Sequence, residues 1–67
     1  MDKIGKLIRE RRKILGINQK DLSEISGVTQ HSISNIETGI GNPTLETLTK
    51  LCHVLGLKLN IEIRDVE

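Results

Sequence analysis

Apolar residues recur at helical spacing in four stretches, each stopped by a glycine, and this limits the chain to short helices joined by tight turns. In the first stretch Ile4, Leu7, Ile8, Ile14 and Leu15 fall on one helical stripe, which Gly16 closes. In the second, Asn18 is placed to accept the amide hydrogen of Asp21, while Asp21 sits in the first turn, where the helix dipole favours negative charge. Leu22 and Ile25 are its expected buried face, and Gly27 ends it with a reversal that needs a positive φ. Thr29 caps a third helix with Ile33 and Ile36 inward and Gln30, His31, Ser34 and Asn35 outward. Gly39, Gly41, Asn42 and Pro43 form a loop that cannot continue it. Thr44 caps a fourth helix, with Glu46 in its first turn and Leu45, Leu48, Leu51, Leu55 and either Cys52 or Val54 inward, and Gly56 stops it.

Beyond Gly56 the period changes from 3.6 to 2. Leu57, Leu59, Ile61 and Ile63 alternate with Lys58, Asn60, Glu62 and Arg64, the pattern of a half-buried strand. No other segment reads as a strand, and a lone strand leaves a row of unpaired backbone groups. The expected partner is the same strand of a second copy. In a two-fold antiparallel pair, the register that sets Lys58 opposite Glu62, Leu57 opposite Ile63 and Leu59 opposite Ile61 avoids like charges and places Asn60 on the axis. The chain therefore divides into a helical domain over 1–56 and a dimerisation strand and tail over 57–67.

A chain of 67 residues holds one domain with a small core. Its apolar residues include ten Ile and nine Leu but no Ala, Phe, Trp or Tyr, so that core is branched aliphatic packing. The absence of aromatic rings excludes the base-stacking surfaces of single-strand binders and the cages that hold quaternary cations. Net charge is +1, yet it is unevenly divided: residues 1–20 carry seven basic and two acidic side chains, and the remainder three basic and seven acidic. A basic end suits an anionic partner and equally suits a solvated helix face. Cys52 is the only cysteine, so no internal disulfide forms and a reducing, cytoplasmic setting is expected. No apolar run is long enough for a membrane span and no signal peptide is apparent. His31, His53 and Cys52 fall short of a metal-ligand set, and four short helices offer no pocket with a positioned base. Neither an enzyme nor a cofactor or metal site is expected.

Two short helices joined by a glycine turn over about 18–38 have the layout of a helix-turn-helix, with a recognition helix over about 29–38. Residues 17–39 closely resemble the Cro/CI-type (XRE) helix-turn-helix regulators of phages and bacteria. The matching positions are Gln19, Leu22, Gly27, Val28, Ile33, Glu37, Gly39 and Pro43, followed by Leu48, Leu51, Leu55 and Gly56. The resemblance covers residues 4 to 56 and implies an all-α, four-helix, lambda-repressor-like DNA-binding domain, to which the pattern of the tail adds a strand that pairs between protomers.

The resemblance also implies roles. Gln19 would hold a phosphate and could brace Gln30, whose amide can pair with adenine. His31, Ser34 and Asn35 would meet further base edges or phosphates, and Thr29 and Ser32 phosphates. Arg12 and Glu37 match positions that form a partly buried ion pair. Lys6, Arg9, Lys13 and Lys20, with the loop near Asn42, would supply phosphate affinity. The sequence departs from the family at Ser23, where Ala is usual, and at Ile40, where a basic residue is frequent. The recognition helix has no Lys or Arg, the side chains that usually read guanine.

These features imply a dimeric transcriptional repressor on a near-palindromic operator in double-stranded DNA. A domain ending in such a strand is also similar to HipB-like antitoxins. The alternative is accordingly an antitoxin or adaptor whose main role is to hold a partner protein such as a toxin.

Overall fold

The computed structural model describes residues 2–61. Four helices follow in order, α1 (Asp2–Ile14), α2 (Gln19–Ser26), α3 (Gln30–Glu37) and α4 (Leu45–Leu55), and among the described residues there is no strand. None of these helices is long and apolar enough to cross a membrane.

Short side chains fix where three of the helices begin. Asn18 accepts the Asp21 amide at 2.7 Å, and the Asp21 carboxylate accepts the Asn18 amide at 3.2 Å, closing a reciprocal capping box at α2. Thr29 and Thr44 accept the amides of Ser32 and Thr47, each at 3.1 Å, at the starts of α3 and α4. At the other end of α2, Gly27 takes φ of +79° and donates its amide to Ser23, so α3 can turn back against α2 within three residues.

α3 packs against both α1 and α2, and α4 closes the far side against the same two helices. The core they enclose is Ile8, Leu22, Val28, Ile33, Ile36, Leu48, Leu51 and Leu55, edged by Ile4, Ile17, Val54 and Leu57. Cys52 is buried beside it, and Val54 is half-buried.

Several expected inward residues face solvent. α1 turns Ile4, Gly5, Ile8 and Arg12 to the core, because Gly5 lies directly against the backbone of α3: a Cβ there would strike the Ile36 carbonyl oxygen and approach the Glu37 Cα to 3.2 Å. Leu7 and Ile14 then lie about 100–120° round the helix from Ile8, and they are 49% and 71% exposed. Leu15, past the last helical residue, is also exposed. On α2 the inner face is Gln19, Leu22, Ser23 and Ser26, all buried or half-buried, and Ile25 is left 63% exposed. Leu45, the first residue of α4, is exposed as well.

Two contacts end α4 and set the exit of the tail. The Arg11 guanidinium donates from Nε and Nη2 to the Leu55 carbonyl at 3.0 and 2.9 Å, filling the acceptor that a helix end leaves open. The Leu57 amide then returns to the Cys52 carbonyl at 2.9 Å. From Leu57 to Ile61 the chain has neither helix nor strand. A strand exists only by ladder hydrogen bonds to another strand, and no described segment offers one. Leu59 and Ile61 are exposed, as is Asn60, and Ile63 with the rest of the expected strand lies outside the described residues.

Candidate nucleic-acid interface

α3 is held rigidly from the inside and left free on the outside. Ile33 and Ile36 anchor it in the core, Val28 is buried in the turn before it, and Glu37 ties its last turn to α1 and α2. At its C-terminal end the Thr38 hydroxyl donates to the Ser34 carbonyl at 2.9 Å. The first turn, opened by Thr29, is tightened by a 2.9 Å hydrogen bond from the Thr29 hydroxyl to the Ser32 hydroxyl.

Arg12 and Glu37 meet through a two-pronged contact: Arg12 Nε donates to Glu37 Oε2 at 2.7 Å and Nη2 to Oε1 at 2.9 Å. Their side chains are only 11% and 3% exposed. Arg12 Nη1 also donates to the Ile17 carbonyl at 3.0 Å, joining the α1–α2 turn to the same knot. The hydrogen bond to Glu37 raises the Arg12 pKa despite an opposing push from burial. Burial pushes the Glu37 carboxyl up, but hydrogen bonds from Arg12 and Gln19 and the charges of Arg12 and Arg9 outweigh it, holding Glu37 below its ordinary value. These shifts keep both groups ionised, so the contact is an ion pair as well as a pair of hydrogen bonds.

Gln19 belongs to the same knot. Its Nε2 donates to Glu37 Oε1 at 3.1 Å, so its amide is turned toward Glu37 and away from the expected brace on Gln30. Gln30 and His31 are exposed on the outer face, and Ser34 and Asn35 are half-buried beside them. Asn35 Nδ2 and His31 Nε2 are 3.3 Å apart.

Around α3, two shallow clefts collect polar groups from separate parts of the chain. One, of about 230 Å³, joins Ser32 and Asn35 to Asn42 and Thr44 of the following loop. The other, of about 240 Å³, joins Lys6 and Arg9 of α1 to Glu37, the last residue of α3, and to Thr38 and Gly39 past its end. Lys13 and Lys20 are exposed and line neither cleft. Ile40, also exposed, puts an apolar side chain beside the first cleft. Among the described residues no three of His, Cys, Asp and Glu cluster as metal ligands. Burial raises the Cys52 thiol pKa, the opposite of what a reactive thiol needs.

Sequence reasoning missed Gly5, Arg11 and the destination of the Gln19 amide. A glycine inside a helix, at position 5, was the available signal for a close backbone approach. Nothing local marks Arg11 as the side chain that reaches the end of α4.

Residues 8–61, which include all of α2, α3 and α4, match the Helix-turn-helix family (HTH_3). This chain belongs to the helix-turn-helix family. It is 52% identical over 58 residues to an uncharacterized HTH-type transcriptional regulator of Haemophilus influenzae, covering 87% of this chain and 58% of that protein. It is 41% identical over 56 residues to the HTH-type transcriptional regulator PuuR of Escherichia coli, covering 84% of this chain and 30% of that protein. The ImmF control region 10 kDa protein of Bacillus phage phi105 is 32% identical over 69 residues, which cover 97% of this chain and 77% of the phage protein. The helix-turn-helix chain thus spans a little over half of the first relative and under a third of PuuR.

Proposed function

We propose that this helix-turn-helix chain is a transcriptional regulator that binds double-stranded DNA as a homodimer, placing α3 in the major groove and repressing by occupying a near-palindromic operator. The observation that carries the proposal is the construction of α3: an inner face fixed by Ile33, Ile36 and Glu37, and an outer face of Gln30, His31, Ser34 and Asn35. Side-chain amides suit adenine edges, and the small hydroxyl of Ser34 suits several bases. The names of its relatives, HTH-type transcriptional regulators, support the same class of activity.

Phosphate anchoring falls to groups flanking α3. Thr29, Ser32 and Asn42 lie at its start and beside it, Gln19 opens α2, and Lys6, Arg9, Lys13 and Lys20 supply positive charge. A single protomer whose recognition helix has no Lys or Arg gains little from direct guanine contacts, so a second protomer on the adjacent half-site adds affinity that one lacks. The dimer contact we assign to the tail, with Leu57, Leu59, Asn60, Ile61 and Ile63 pairing across the two-fold. A groove of about 460 Å³, with Leu45, Cys52, Leu57, Leu59 and Ile61 among its apolar lining and Thr49, His53 and Lys58 among its polar lining, lies beside that contact.

Selection from a random duplex library tests the proposal. A two-fold symmetric consensus with half-sites about one helical turn apart is expected. With four basic side chains per protomer each neutralising a phosphate, log K against log salt falls with a slope of roughly −7. Absence of any enriched sequence would exclude the proposal.

A further inference from the structure

His31 and Asn35 stand one turn apart on the outer face of α3, close enough to bond to each other. Asn35 Nδ2 lies 3.3 Å from His31 Nε2. An amide nitrogen only donates, so with Nδ2 facing the ring the imidazole Nε2 is placed to accept, an arrangement that requires the tautomer carrying its hydrogen on Nδ1. One of the two amide hydrogens is then committed to His31. When that hydrogen is the one trans to the carbonyl oxygen, the other hydrogen and the oxygen remain side by side on one amide edge.

That remaining edge has a defined partner. One acceptor beside one donor complements adenine in the major groove, whose N6–H donates and N7 accepts. The terminal torsion of an unrestrained asparagine is broad and roughly two-fold, so its donor and acceptor exchange places freely. An acceptor at Nε2 breaks this symmetry by holding the nitrogen on the His31 side. Asn35 is also half-buried, in the cleft that Ser32 and Asn42 line, which restricts the side chain further.

We propose that His31 and Asn35 form one reading unit, in which Asn35 contacts an adenine and His31 is the positioning residue that sets the amide orientation. The proposal rests on the DNA-binding function above and adds which base is read, by which residue, and what orients it. His31 is exposed, Asn35 is half-buried, and neither belongs to the core cluster, so their substitution leaves the core untouched.

The test uses the full chain and the duplex that it selects from a random library, with fluorescence anisotropy on single-base variants of that duplex. Asn35→Ala is expected to lose about 10–100-fold of discrimination for adenine at one position in each half-site. His31→Phe, which keeps a ring but offers no acceptor, is expected to lose most of that discrimination at the same position. The double variant loses no more than Asn35→Ala alone. Replacing that adenine with 7-deazaadenine, which lacks the N7 acceptor, weakens the wild-type protein and barely affects His31→Phe. A merely structural role for His31 lowers affinity for all sequences alike, and that result overturns the proposal. So does loss of preference at a different position. If the wild-type chain enriches no sequence at the first step, the DNA-binding function itself fails and this proposal falls with it.

Discussion

Arg12 and Glu37 join α1 to the last turn of α3 through two hydrogen bonds of 2.7 and 2.9 Å, with the Gln19 amide 3.1 Å from the same carboxylate. Three helices thus converge on one charge. Because both ions are almost out of water, removing either one leaves the other without compensation. Arg12→Ala is expected to lower the unfolding free energy by about 3 kcal/mol, measured by urea denaturation. A loss below about 0.5 kcal/mol would mean that the pair is an exposed one.

The same pair sets an acid limit. The folded state holds Glu37 below its ordinary value of 4.5, so the stability from this group is complete above that pH and is lost as pH falls through the lowered, folded-state value. Unfolding free energy measured between pH 7 and pH 2 should fall less steeply below about pH 4.5 in Glu37→Gln than in the wild type. Parallel curves would contradict the linkage.

Gly5 separates helix propensity from packing. Propensity alone makes Gly5→Ala stabilising by about 1 kcal/mol. The new Cβ, however, would collide with the Ile36 carbonyl oxygen, a backbone atom that cannot rotate away. Gly5→Ala is therefore expected to destabilise by about 1–3 kcal/mol in thermal unfolding, a reversal of the sign that propensity gives.

Leu22 and Ile25 lie three residues apart on α2, and their fates differ. Leu22 is fully buried and Ile25 is 63% exposed. Leu22→Ala is expected to cost about 2–5 kcal/mol, and Ile25→Ala to stay within about 0.5 kcal/mol. Equal losses would return Ile25 to the core.

The tail gives a prediction about assembly. Leu59 and Ile61 are exposed, while Leu57 packs at the edge of the core. Replacing Leu59 and Ile61 with Glu should leave the helical fold intact and convert dimers to monomers in sedimentation velocity. An unchanged dimer would place the interface elsewhere.

The helices were legible because their signals are local. Asn18, Thr29 and Thr44 each act within three residues, and Gly27 and Gly56 stop helices at their own positions. The facing of those helices was less legible, because distant partners set it. The rotation of α1 depends on how Gly5 meets Ile36, and the inner face of α2 uses Ser23 and Ser26 in preference to Ile25. Small serines let helices approach closely, and a hydrophobicity pattern does not register them. At the interface, the polar outer face of α3 followed directly from the positions of Ile33 and Ile36. The Gln19 amide did not, since its hydrogen bond to Glu37 spans 18 residues of sequence.

The central claim is that the outer face of α3 reads duplex DNA. Its most direct test is anisotropy titration of the selected operator with the wild-type chain and with the Gln30→Ala, Asn35→Ala double variant. Both positions lie outside the core, so the variant should keep the wild-type melting behaviour. Loss of two side-chain amides is expected to weaken specific binding by roughly 30-fold or more while sequence-independent binding persists. A double variant that binds the operator as tightly as the wild type, with the same base preferences, would contradict the account and favour a chain whose task is to hold a protein partner.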